Sequence, residues 1–221
     1  MAKESLSTPQ KSPVFREVFS DEQTTRLLGG VPTNVTYSNG VGTFIAASAS
    51  RTLYTKNYNG TYSVRIKLNS VTPVAGTFLV DFRVNSGTGY IYFISNVSVA
   101  ASSGTVYVDG VATSTVSSSS KEILITGITL STTASYFGAV YTGVSQFGTF
   151  GAELFEIYDY TLTANEVANM ANNARYEALQ YSSGVTEILN IDAKNGVIAN
   201  KYNPENLFIY SQDFSNASWN K

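Results

Sequence analysis

The chain has 221 residues, 14% of them charged, and a net charge of −2. It contains no cysteine and no histidine, which excludes disulfides, thiolate catalysis, Cys/His zinc sites and histidine acid–base chemistry. The sparse Lys and Arg argue against a nucleic-acid-binding surface, and no run approaches the ~18 apolar residues of a membrane helix.

Residues 1–13 are polar and carry Pro9 and Pro13, an N-terminal arm that becomes ordered only where another surface holds it. No apolar run follows the lysines of MAKESLSTPQKSPV, so no secretory signal is expected. Two readings compete for the next stretch. Phe15, Glu17 and Phe19 alternate as an opening strand, whereas Ser20-Asp-Glu-Gln23 has capping-box form with Gly29-Gly30 as the stop of a short helix.

From Val31 the strand signals are continuous. Asn34–Tyr37 and Val41–Ile45 flank Ser38-Asn39-Gly40, whose Asn-Gly pair predicts a type I′ hairpin. Arg51–Lys56 is a further strand, and Asn59-Gly60 predicts a second turn. Thr61–Leu68 alternates cleanly, placing Val64, Ile66 and Leu68 inward and Ser63, Arg65 and Lys67 in water. Phe78, Val80, Phe82 and Val84 repeat the pattern, with Asp81 and Arg83 outside. Tyr90–Ile94 is apolar on both faces and predicts a central strand covered on both sides or lining a protein contact.

Thr105–Thr113 is a hairpin with Asp109-Gly110 at its tip, where Asp109 serves as the turn residue. Ser117–Ser120 is a serine-rich loop, Lys121–Thr126 a strand, and Ser135–Tyr141 leads through a glycine-containing loop to Phe147 and Phe150. Glu153–Tyr158 then alternates as a strand, with Leu154, Glu156 and Tyr158 on one face and Glu153, Phe155 and Ile157 on the other. Thr163-Ala-Asn-Glu166 is a capping box opening a helix over about 164–180, with Val167, Met170, Ala171 and Ala174 at helical spacing and Gly184 as its stop. Short strands with Gly, Asn and Ser between them predict an all-β, two-sheet antiparallel sandwich with one C-terminal helix.

The stretch Gly148–Met170 resembles the closing segment of laminin-G-like domains, jelly rolls related to concanavalin A, which ends roughly G-x-I-D-E-V-R-I-Y-x-x-x-L-S-x-x-E-I. Gly151, Glu153, Phe155, Ile157, Tyr158, Leu162, Thr163, Glu166 and Val167 fall in matching places. Leu154 and Glu156 depart from it in charge, with little consequence expected on an exposed or mixed face. The hairpin at Thr105–Thr113 is similar to the L-Y-V-D-G-V element of the same domains. The resemblance implies a jelly roll over residues 14–183 and favours the strand reading of Val14–Ser20. It implies no function, because this fold hosts lectins, glycanases, adhesins and inert spacers.

Beyond 184 the chain starts again, with a strand from Glu187 and an Asn195-Gly196 turn. Asn206–Lys221 resembles the N-L-L-x-Y-S-E-D-F-S-N-A-x-W-x-K opening of modules common in tail and fibre proteins of bacterial viruses. Asn206, Leu207, Tyr210, Ser211, Asp213, Phe214, Ser215, Asn216, Ala217, Trp219 and Lys221 match. Residues 184–221 are therefore expected to be a linker and the start of a further, truncated module.

Glucanases of this fold use a carboxylate cluster on one strand face. Glu153, Glu156 and Asp159 are the nearest approach, and their spacing splits them between faces, so no enzyme is expected. No cofactor is expected either. A structural calcium would have to draw on Asp81, Asn96, Asp109 and Glu153, which form no D-x-D or D-x-N cluster. With 15 tyrosines and 12 phenylalanines, aromatic platforms for sugars are available, and Tyr136, Tyr141, Phe147 and Phe150 flank one loop as glycan-binding candidates. The resemblances imply a non-enzymatic virion protein of a bacterial virus, a head or tail fibre or decoration protein. Its arm would engage other virion proteins, its sandwich neighbouring copies in a homo-oligomer such as a trimer, or cell-surface glycans. A bacterial adhesin or glycanase-associated binding module is the alternative.

Overall fold

The computed structural model describes residues 12–83 and 87–171, and the backbone of 189–192 and 197–200. Residues up to 171 form one unit and those from 172 another. In the first unit, β1 (Phe15–Val18) precedes α1 (Glu22–Leu27), so both readings of that stretch are realised in succession. Asp21 caps the helix, its Oδ1 accepting the Thr24 N–H at 2.7 Å. There follow β2 (Gly30–Thr33), β3 (Thr36–Ser38), β4 (Val41–Phe44), β5 (Arg51–Tyr54), β6 (Tyr58–Thr72) and β7 (Phe78–Asp81). The second half supplies β8 (Tyr90–Ser95), β9 (Ser98–Ala101), β10 (Thr105–Val108), β11 (Val111–Ala112), β12 (Glu122–Thr132), β13 (Ser135–Phe137) and β14 (Thr149–Tyr158).

These strands make two antiparallel sheets packed as a jelly-roll-like sandwich. One has eight strands in the order β11-β10-β12-β6-β14-β4-β3, with β1 also paired to β14; the other has six in the order β2-β5-β13-β7-β8-β9. The Asn39-Gly40 and Asp109-Gly110 turns form as predicted, all four residues at positive φ (52°, 75°, 52° and 79°). Asn59-Gly60 does not turn. The two residues lie inside the 15-residue β6, opposite Ser131 and Leu130 of β12. Pairing with the long β12 ladder outweighs the local preference of the dipeptide.

The core between the sheets is aromatic. Phe137 of β13 lies 4.7 Å from Phe155 of β14, 5.2 Å from Phe44 of β4 and 5.3 Å from Phe19, ring centre to ring centre. Val64, Ile66 and Leu68 face this core, with exposures of 0–1% as the alternation requires. Of the three neighbours expected in water, only Lys67 is partly exposed. Ser63 and Arg65 are buried, Ser63 because the segment after β14 folds back over the outer surface of the eight-stranded sheet. Ser63 Oγ donates to the Tyr160 carbonyl at 2.8 Å and accepts the Leu162 N–H at 2.9 Å. Leu162, Val167 and Met170 then pack on Tyr158 and Leu124 as a second apolar cluster.

The helix that brings them there occupies 164–171 of the described residues; its predicted continuation to 180 lies outside them. Its capping box forms, with Thr163 N–H donating to Glu166 Oε2 at 2.7 Å and Glu166 N–H to Thr163 Oγ1 at 3.3 Å.

Glu156, expected on an exposed or mixed face, is 3% exposed. Arg65 joins it to a second strand, donating from Nε to Glu122 Oε2 at 2.7 Å and from Nη1 to Glu156 Oε2 at 3.2 Å. Tyr158 Oη donates to Glu156 Oε2 at 2.8 Å, and Arg16 of β1 approaches Glu156 Oε1 at 3.5 Å. The arginine thus ties the central strand to both neighbours.

In the second unit, β15 (Leu189–Asp192), within the predicted strand, pairs antiparallel with β16 (Val197–Asn200). The Asn195-Gly196 turn and residues 206–221 lie outside the described residues.

Phe137 reaches from the six-stranded sheet to Phe44, Phe150 and Phe155 of the other sheet, so Phe137→Ala is expected to cost about 3–5 kcal/mol of stability. The midpoint of urea unfolding, compared with the parent at unchanged m-value, measures it.

Candidate functional site

The outer face of the six-stranded sheet carries a connected set of half-buried aromatic rings. Directly opposed residues in a sheet point the same way, and two rows can be followed across it. Thr52, Phe137, Val80 and Ile91 line up on the inner face, and Leu53, Tyr136, Asp81 and Tyr90 on the outer. A register shift between Phe78 and Val80 makes Leu79 a bulge. The extra residue sends Phe78 to the outer side, against the inward position that plain alternation predicts. There it stacks on Tyr92 at 5.5 Å, 26° between planes, and meets Tyr90 edge-on at 6.0 Å.

Tyr90–Ile94 is accordingly covered on one face only. Ile91 and Phe93 are fully buried, Tyr90 and Tyr92 half-buried, and Ile94 is 55% exposed.

Asp81 and Arg83 sit on this outer face, as expected, but Asp81 is not solvated. It is fully buried, because Arg83 and the loop after β13 close over it. Arg83 donates from Nε at 2.9 Å and from Nη2 at 2.6 Å, and its backbone N–H adds a third bond at 3.0 Å. The Tyr141 N–H donates to Asp81 Oδ2 at 3.0 Å from the loop. The Arg83 guanidinium lies 4.3 Å from the Tyr90 ring, 5.0 Å from Tyr141 and 5.3 Å from Phe78. Hydrogen bonding to Asp81 raises the Arg83 pKa further above its ordinary value. One ion pair therefore fixes rings from β7, β8 and the loop.

Of the predicted glycan-binding residues, three lie at this face or its loop. Tyr136 is half-buried on β13, with the Gly143 backbone so close that a Cβ there would sit 2.5 Å from the ring. Tyr141 covers Arg83, and Phe147 lies beside Phe78 with the Arg51 guanidinium 5.9 Å above its ring. Phe150 is elsewhere: it is 2% exposed and stacked on Phe44 at 4.9 Å in the core, out of reach of any ligand. Sequence reasoning missed Phe78, Tyr90, Tyr92 and Arg83. The Tyr-x-Tyr spacing at 90 and 92 was the available signal, since it places both hydroxyl-bearing rings on one face.

The carboxylates singled out in the sequence do not converge. Glu153 accepts from Asn69 Nδ2 at 3.4 Å, Glu156 belongs to the Arg65 cluster, and Asp159 is exposed. The calcium candidates are likewise separate. Asn96 Oδ1 accepts the Ala75 N–H at 3.0 Å, and Asp109 Oδ1 accepts the Lys121 and Glu122 N–H groups at 2.7 and 2.8 Å. Among the described residues no three Asp or Glu side chains are grouped to hold a metal ion, and no helix is long and apolar enough to cross a membrane.

No protein-family model matches the chain, and no curated protein matches it. Solved structures with a similar β-sandwich include the binding domain of botulinum neurotoxin DC in complex with rat synaptotagmin II. The TM-score is 0.43 at 13% identity, over 73% of this chain and 52% of that one. Another is a botulinum neurotoxin type C structure, a toxin whose cell entry depends on interaction with two ganglioside molecules. It aligns with a TM-score of 0.44 at 13% identity, over 80% of this chain and 53% of that one. The chain spans about half the length of either. At this level the likeness concerns sandwich architecture alone and says nothing of what this chain binds.

Removing the Asp81 carboxylate leaves Arg83 unpaired among the rings. Asp81→Ala is expected to lower stability by about 3 kcal/mol, and Asp81→Asn by less, measured by urea unfolding of both variants beside the parent.

Proposed function

We propose that this chain is a non-enzymatic attachment protein that uses the outer face of its six-stranded sheet to bind saccharides. The observation that carries the reading is a set of half-buried rings: Tyr90 and Tyr141 held against the Arg83–Asp81 pair, Tyr92 packed on Tyr90, and Phe147 under Arg51. Rings held rigid present flat apolar faces with little entropy left to lose on binding, and tyrosine hydroxyls add hydrogen bonds at the rim. Asp81 is the one acidic residue between Gly30 and Val108, and it is neutralised, so the face does not repel anionic sugars.

The setting of this attachment protein is a bacterial virus particle. The support is the wording of Asn206–Lys221, which resembles the opening of tail and fibre modules. In that setting residues 1–13 seat the chain on other virion proteins, the sandwich faces host glycans, and copies associate in a homo-oligomer.

A glycan array probed with the full chain tests the binding face. The parent is expected to bind a defined set of sugars, and a Tyr90→Ala/Tyr92→Ala variant of unchanged fold to lose about tenfold or more in affinity, ~1.4 kcal/mol. A flat signal on every sugar would dispose of the saccharide reading. Peptides of this chain in purified virus particles, sought by mass spectrometry, test the virion setting separately.

A further inference from the structure

The structure buries a carboxyl group that no cation among the described residues pairs with. Glu17 is the middle residue of the inward row Phe15–Glu17–Phe19, and all three are 0–3% exposed. Its Oε1 accepts from Thr25 Oγ1 of α1 at 3.1 Å and its Oε2 from Tyr54 Oη of β5 at 3.4 Å. No ion pair among the described residues includes Glu17. The strand that carries it has only four residues and pairs on one side alone, to Leu154–Ile157 of β14. The six-residue α1 that follows packs on the same carboxyl through Thr25.

We propose that β1 and α1 form a proton-operated latch, seated while Glu17 is protonated and loosened when it ionises. Release would bare the β14 backbone edge from Leu154 to Ile157, together with the sockets that Phe15 and Phe19 fill between the sheets. This device is independent of the saccharide reading.

Burial and the nearby Asp21 charge favour the protonated form of Glu17, and of the groups around it only the Thr25 and Tyr54 hydroxyls oppose it. Burial, opposed in part by the Thr25 and Tyr54 hydrogen bonds, pushes its pKa up to about 7, and the carboxylate of Asp21 adds to the rise. Asp21 itself is exposed and held below its ordinary value by the Thr24 N–H, so it stays ionised across the neutral range. Glu22 is exposed on α1 and paired with Arg26 at 2.6 Å. Burial raises the pKa of Tyr54, Tyr37 and Tyr58, which remain neutral hydroxyls. Lys56 is directed to the Phe15 ring, 5.0 Å from its centre. On β14 the residue opposite Glu17 is the apolar Phe155. The chain has no histidine, the side chain that ordinarily titrates near neutrality.

The sign follows from linkage. A carboxyl whose folded pKa lies above its unfolded one stabilises the fold fully below the unfolded value of 4.5, and that stability is lost as pH rises towards about 7. Above that pH the latch is at its loosest.

Hydrogen–deuterium exchange of the full chain at pH 5.5 and 8.5, corrected for intrinsic rates, tests this. Protection of peptides covering residues 14–28 is expected to fall about tenfold or more between the two conditions, while β6 peptides hold constant. Glu17→Gln, which mimics the protonated group, is expected to abolish the difference. Equal protection at the two pH values, or the same fall in Glu17→Gln, would overturn the latch. Should that variant not fold, the carboxyl carbon shift of Glu17 in labelled parent protein decides the matter. A midpoint near 7 supports the latch, and one near the ordinary 4.5 refutes it.

Discussion

The fold depends on β6 being paired along both of its edges. Ten of its residues, Tyr58–Lys67, have partners on β12, while β14 takes the stretch from Ser63 to Thr72. A strand so placed has no free edge over its middle, and its side chains alternate between two covered surfaces. One surface is the aromatic core between the sheets. The other lies partly under the segment that follows β14. A register slip of one residue would put Arg65 into the apolar core and Ile66 among the carboxylates, so the pairing is specified from both sides. Arg65 sits at that point, joined to Glu122 on one neighbour and Glu156 on the other.

Three buried acidic sites show three ways of tolerating charge away from water. Glu122 and Glu156 share an arginine, with Tyr158 as an additional donor. Such clusters add little net stability over apolar packing, but losing one member strands the rest. Asp81 takes a bidentate guanidinium that is itself enclosed by rings. Among the described residues Glu17 has hydroxyl donors alone, Thr25 and Tyr54, and burial pushes its pKa up to about 7. The first two sites hold register and shape; the third leaves an edge strand responsive to its surroundings.

The same logic separates the two outer faces. The eight-stranded sheet covers the part of its outer face around Leu124 and Tyr158 with Leu162, Val167 and Met170. Among the described residues the six-stranded sheet has the loop from 138 to 148 over one end of it, and its Tyr90 and Tyr92 stay half-buried. A rigid aromatic surface left open beside a covered one is the physical basis for assigning recognition to the six-stranded sheet.

Local chemistry was legible in the sequence. The alternation of Val64, Ile66 and Leu68, the Asn39-Gly40 and Asp109-Gly110 turns and the Thr163–Glu166 capping box each depend on residues within a few positions of one another, and each forms as expected. What lay beyond the sequence depended on partners far along the chain. Asn59-Gly60 runs straight because β12, some 70 residues later, supplies a ladder. Arg65 and Glu156 are buried because Glu122, Tyr158 and Arg16 from three other positions in the chain gather around them. Phe78 changes face because of a one-residue bulge, and Phe150 lies in the core rather than at a binding edge. Periodicity reports which side of a strand a residue takes, but only the packing of distant segments decides whether that side meets water.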